Sequence, residues 1–151
     1  MKLFEILTTV LPYTWLEKKE DFGLARFTVG GYEYLVTFEM FDDYDDNTKC
    51  AVEFSQTPEG IDTDTNMGRY TASEKGVVHN TNTGNQLPII STIQEISKDW
   101  FKNHPINWIV MGATTPSREK LYMRMLSKLL PNWNIDSDGN IINAVAPNIQ
   151  H

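Results

Sequence analysis

The chain has 151 residues, of which 40% are hydrophobic and 22% charged, the balance of an ordinary globular domain. That length suffices for one core without disulfides or metal, and no apolar run reaches the roughly 20 residues of a membrane span, so a soluble protein is expected. A net charge of −7 and a pI near 4.9 oppose binding to a phosphate backbone and argue against a nucleic-acid reader.

The first residues, Met1 to Leu7, place Glu5 inside a short apolar stretch with no small-residue cleavage site, which argues against a signal peptide and for an intracellular protein. Leu3, Ile6, Leu7 and Val10 recur at helical spacing and Pro12 sets a stop, predicting a short helix over residues 2–11. Residues 24–41 then hold two β-rich runs about Gly30-Gly31, a pair that supplies the positive φ of a hairpin turn. Tyr32, Tyr34, Val36, Phe38 and Met40 share one face of the second run, expected to be buried, and Glu33, Leu35, Thr37, Glu39 and Phe41 share the other. The acidic run from Asp42 to Asp46 reads as a solvated turn, and less readily as the seed of a nucleic-acid-mimicking surface. A third strand over 50–56 follows, antiparallel to the second. Cys50, the single cysteine, has no partner for an internal disulfide and sits at the start of that alternating strand, where an inert, half-buried thiol is expected.

Residues 58–85 are rich in Gly, Thr, Asn and Asp and read as a long surface loop with a short strand near Val77, the kind of segment that carries function or is ordered by a partner. A helix over 88–103 opens with Pro88, whose missing N–H costs nothing in a first turn, and buries the stripe Ile89, Ile93, Ile96 and Trp100. The nearly continuous apolar run 106–113 predicts a strand covered on both sides. A second amphipathic helix over 116–130 turns Leu121, Tyr122, Met125, Leu126 and Leu129 inward. Residues 136–140 read as a turn before a last strand over 141–146. The sum is a single α+β domain, a mixed and mostly antiparallel sheet flanked by helices.

Metal chemistry finds little support. His79, His104 and His151 show no pair at ligand spacing, and three D-x-D-x-N runs, beginning at Asp43, Asp62 and Asp136, open like calcium loops. Each lacks the glycine at the sixth position and the glutamate at the twelfth, so turn-forming Asp and Asn account for them. Nucleophile-elbow and P-loop motifs are absent from the sequence, which removes the common hydrolase and NTPase readings.

From Leu24 onward the order of three antiparallel strands, a helix, a central strand, a helix and a last strand resembles the GCN5-related N-acetyltransferase (GNAT) fold. In that family the turn into the long helix presents backbone N–H groups to the pyrophosphate of acetyl-CoA, and a tyrosine of the following helix protonates the leaving thiolate. The resemblance implies that Thr83, Gly84, Asn85, Gln86 and Leu87 form the cofactor turn, with Ser117 and Arg118 near a phosphate. It implies that Tyr122, which with Leu121 follows Ser117 in a Leu-Tyr helix similar to the family's, is the acid. Glu53 or Glu39 on the central strands would be the base. The family's turn carries several glycines; here there is one, Gly84, and Pro88 removes an N–H that an anion would use. Separately, T-G-N ahead of an apolar helix containing S-T-I, followed by S-R-x-K-L-Y, resembles a group of uncharacterised tailed-phage proteins. Two functions are therefore expected, in order. The first is a phage accessory protein in the virion or host cytoplasm that binds a protein partner on a degenerate acetyltransferase-like scaffold and needs no cofactor. The second is an N-acetyltransferase using acetyl-CoA.

Overall fold

Two β-rich runs must reverse over two residues, and Gly30 and Gly31 do so with φ of 60° and 82°, the left-handed pair of a tight hairpin. They join β2 (Phe22–Val29) to β3 (Tyr32–Asp42) in antiparallel register from Phe22↔Glu39 to Val29↔Tyr32. The computed structural model describes residues 10–42, 48–75, 86–113 and 116–147. β1 (Tyr13–Lys18) pairs antiparallel with the outer side of β2, and β4 (Thr48–Gln56) with the far side of β3. β5 (Trp108–Gly112) lies parallel to β4, and the hairpin of β6 (Asn134–Asp138) and β7 (Ile141–Val145) completes the sheet with β7 against β5. The strand order is β1-β2-β3-β4-β5-β7-β6. With three helices among the described residues, α1 (Asn66–Lys75), α2 (Gln86–Asn103) and α3 (Pro116–Leu129), this is a single-domain α+β protein. None of these helices is long and apolar enough to cross a membrane.

Period-two alternation divides the sheet into two unequal faces. On one, Ala25, Phe27, Val36, Phe38, Val52 and Cys50 continue through Ile109, Met111, Ile142 and Ala144, all buried beneath Ile89, Ile93, Ile96 and Trp100 of α2 and Met125 and Leu126 of α3. The opposite face is mixed: Leu24 and Leu35 are buried there in a small cluster with Ala72 of α1, and Val145 of β7 is buried apart from them. Within the expected buried set of β3, Tyr34, Val36 and Phe38 are buried while Tyr32 at the turn is 46% exposed.

Trp100 is the central anchor. It is fully buried, stacks on Phe38 with centroids 5.3 Å apart and lies 5.8 Å from the ring of Trp15. Its six-membered ring rests on Gly23, where a Cβ would fall 2.5 Å from Cζ3. The neighbouring Asp99 faces outward and holds the edge strand β1. Its carboxylate accepts from Trp15 Nε1 at 2.8 Å, Tyr13 Oη at 3.1 Å and Lys18 Nζ at 3.2 Å. Thr92 ties the chain before β1 to the same helix: its buried hydroxyl accepts from Leu11 N at 2.8 Å and donates to Pro88 O at 2.7 Å.

Three segments depart from the sequence reading. The loop expected over 58–85 contains α1, because its buried face needs only Ala72 against the sheet and so leaves no apolar stripe. The turn expected at 136–140 is mostly strand β6, whose Ile135 and Ser137 point to the helices while Asp136 and Asp138 face solvent. Pairing with β7 overrides its polar composition. The chain after Pro12 is strand β1, whose aromatic alternation, Tyr13 and Trp15, is the signal that was available. The helix over 2–11 falls, apart from its last two residues, outside the described residues, as does the short strand near Val77.

Gly23→Ala is expected to cost about 1–3 kcal/mol through overpacking against an immobile indole, read as a lowered urea midpoint with unchanged slope. The Trp15 N–H, above all, holds the Asp99 carboxyl below its usual range, with Lys18 and Tyr13 assisting and burial opposing. A depressed carboxylate stabilises the fold above the ordinary value of 3.8 and loses that contribution as pH falls through its folded value. Acid titration of stability should therefore be shallower below pH 3.8 in Asp99→Asn than in the parent chain.

Candidate functional site

The mixed face of the sheet carries the chemistry. Register places Glu17 opposite Leu24, Leu24 opposite Thr37 and Thr37 opposite Glu53, so these four side chains form one row across β1 to β4. At about 4.8 Å per strand the two carboxylates stand roughly 14 Å apart. α1 lies along this face. Thr65 caps it, its Oγ1 accepting from Gly68 N at 2.9 Å, and Asp62 Oδ1 accepts from Asp64 N at 3.0 Å in the turn before it. The turn passes so close beneath the helix that a Cβ on Gly68 would meet the Asp62 carbonyl oxygen.

Charged groups fasten α1 to the strands. Arg69 donates from Nη1 to Glu17 Oε1 at 3.3 Å and from Nε to the Thr63 carbonyl at 2.8 Å. Arg26 of β2 reaches Asp64 Oδ1 at 2.8 Å and Thr63 Oγ1 at 3.1 Å, while the Thr63 hydroxyl donates to Glu33 Oε1 at 2.9 Å. Thr63 is 1% exposed, so this polar latch is partly desolvated and its bonds are strengthened accordingly.

Between α1 and the β6–β7 hairpin a cavity of about 910 Å³ opens over the row. Leu24, Leu35, Thr37 and Glu53 contribute its floor, Asn66, Arg69 and Tyr70 one wall, and Asn140 and Ile141 the opposite wall. It reaches the sheet where β4 and β5 part. Their pairing ends at Val52↔Met111, yet β4 continues to Gln56, and Phe54, Ser55, Gly112 and Ala113 line the cavity beyond the last pair. Among the described residues nothing lies within 4 Å of a Cβ built on Gly112.

Of the residues singled out from sequence, Glu53 lines the cavity, exposed, and forms none of the ion pairs among the described residues. Glu39 is exposed on the same sheet face but is outside the lining. Tyr122 is 2% exposed in the core on the helix-covered face, accepting from Arg118 Nη1 at 3.2 Å, and does not line the cavity. Burial raises its phenol above the ordinary value and Arg118 pulls the other way. The structure thus separates Tyr122 and Arg118 from Glu53 by the thickness of the sheet. Thr83, Gly84 and Asn85 lie outside the described residues, and of Gln86, Leu87 and Ser117 only the backbone, inside α2 and α3, is described. Cys50 is buried completely rather than half, and desolvation pushes its thiol up to about 12. Of the three D-x-D-x-N runs, the one at Asp62 leads into α1, the one at Asp136 makes the β6–β7 hairpin, and the one at Asp43 lies outside the described residues. Sequence reasoning missed Glu17, Arg69 and Tyr70; the last two sit in the segment read as loop, and only the pairing of β1 brings Glu17 to them.

A mixed sheet with one parallel central pair among the described strands, helices on its apolar face and a cavity on its other face where that pair ends defines an α+β protein with a cleft at the sheet. The chain belongs to a family of unknown function, DUF6934, which matches residues 36–144. No curated protein matches it. The matched segment spans β4, β5 and α3, and so includes Glu53, Gly112 and Tyr122.

Because the α1 turn tolerates no side chain at residue 68, Gly68→Ala should release α1 while the main core stays folded. Amide exchange over 66–75 is expected to speed up by an order of magnitude or more, about 1.4 kcal/mol or more of lost local stability, with protection of α2 unchanged.

Proposed function

We propose that the chain is an acetyltransferase-like protein that takes an acyl-CoA-type thioester into the gap between β4 and β5 and an amine from the α1 side. The short parallel ladder carries this reading: β4 and β5 part after Val52 and Met111, and the cavity opens there. The strand order and the resemblance to N-acetyltransferases support it. A slim pantetheine-like arm fits a gap between strands whose lining is the backbone of Gly112 and small side chains such as Ser55 and Ala113. When bound, such a group supplies an activated acyl carbonyl. Glu53, exposed beside the gap, takes a proton from the acceptor ammonium and frees its lone pair. The freed amine would attack the acyl carbon, the C–S bond would break and the departing thiolate would take its proton from solvent, because Tyr122 stands in the core on the other face of the sheet and does not line the cavity.

A second reading, docking of a protein partner without chemistry, is favoured by Met67 and Tyr70. These α1 residues are 74% and 61% exposed, and Tyr70 borders the cavity. The likeness to tailed-phage proteins would make that partner a virion component or a host factor.

Thermal unfolding with acetyl-CoA decides between them. A ligand at a hundredfold excess over its dissociation constant stabilises the fold by about 2.7 kcal/mol. The transfer reading expects such a shift for the parent chain and for Glu53→Gln, and acetyl transfer only for the parent. No shift at millimolar acetyl-CoA would overturn it and leave partner docking.

A further inference from the structure

We propose that the cavity is a site for an amphipathic monoamine, a single protonated nitrogen on an apolar body; this deepens the proposed function by naming the acceptor, and it rests on the lining alone. The charges of the row are compensated at one end and not at the other. Glu17 is paired with Arg69 at 3.3 Å, and Lys19, just past the end of β1, also lines the cavity. Glu53 sits three strands away, about 14 Å by strand spacing, and none of the ion pairs among the described residues includes it. One end of the cavity is therefore anionic and the other is neutral to cationic.

Between the ends the lining is mixed, apolar at Phe22, Leu24, Leu35 and Phe54 and polar at Thr37, Ser55, Asn66 and Asn140. Leu24 and Leu35 form the floor beside Thr37, and the exposed side chains of Tyr70 and Ile141 stand on opposite walls. An alkyl or aryl body lying over Leu24 and Leu35 loses water-exposed surface, and an ammonium at Glu53 gains a charge-assisted hydrogen bond. A polyamine would carry a second cation to Lys19 and Arg69, where like charge disfavours it. An apolar carboxylate would place its charge against Glu53 or compete with Glu17 for Arg69. The lining therefore selects one positive charge, at one end.

Titration calorimetry of the full chain without any thioester tests this with phenethylamine, spermidine and phenylacetate. Phenethylamine is expected to bind about tenfold or more tighter than either of the others, and Glu53→Gln to weaken it about tenfold. Lys19→Glu should raise spermidine affinity and leave phenethylamine nearly unchanged, which a nonspecific effect of net charge would not do. Absence of phenethylamine binding, or equal binding by Glu53→Gln, overturns the proposal. A chain that binds phenethylamine without an acetyl-CoA shift keeps this inference and loses the transfer reading; the reverse result loses this inference alone.

Discussion

Four residue pairs, Lys49↔Trp108 to Val52↔Met111, join β4 to β5, and this is the one parallel contact among the described strands. Parallel strands cannot be joined by a tight turn, so the chain must leave the sheet and return along it. That connection carries α1 to the mixed face and α2 to the apolar face, and the short ladder leaves both strands open at their ends. The two-sided shape of the molecule and its cavity both follow from that contact. A longer ladder would bury the edge of Glu53 and Gly112 between paired backbones and close the cleft.

The apolar face is held in place by adjacent residues of α2. Trp100 fills the space above Gly23 and Phe38, and Asp99, one position earlier and turned outward, gathers Trp15, Tyr13 and Lys18 of β1. An edge strand with three of its side chains bonded to a helix is poorly available to pair with another chain. The opposite edge, β6, is short and carries Asp136 and Asp138 outward, while Ser137 donates to Glu119 of α3 at 2.6 Å. Both edges are protected, by different means.

The family match begins at Val36 and ends at Ala144, so the parting of β4 and β5 lies inside it and β1 and β2 lie outside. Glu53, Arg69, Tyr70, Gly112 and Ile141 belong to the matched segment, whereas Glu17, Lys19 and Leu24 precede it. The cleft is thus a property of the shared segment, while the far end of the cavity joins Arg69 of that segment to Glu17, which the match does not cover. In chemical terms the matched part supplies the gap, its carboxylate and Arg69, and the rest adds Glu17 and Lys19 at the far end.

Much of the scaffold was legible in the sequence, for local reasons. Gly30-Gly31 demands a hairpin, the spacing of Ile89, Ile93, Ile96 and Trp100 demands a buried helix face, and the apolar run around Ile109 demands a central strand; each is decided by neighbours within a few residues. The α+β class followed from their order. What the sequence did not determine depends on distant partners. β1, α1 and β6 bury few apolar side chains of their own and exist because Asp99, Leu24 with Leu35, and β7 await them. Glu53 was visible as a carboxylate on a strand, and Tyr122 as an inward tyrosine, but only the register of β4 against β3 and the packing of α3 put them on opposite faces. The sequence by itself determined the β2–β3 hairpin, the buried faces of α2 and α3 and the central strand β5, because those choices rest on backbone freedom and short-range periodicity. The tertiary structure alone decided where the sheet opens and which charge stands without an ion pair among the described residues beside the opening, because both depend on where one strand stops pairing with another 59 residues away.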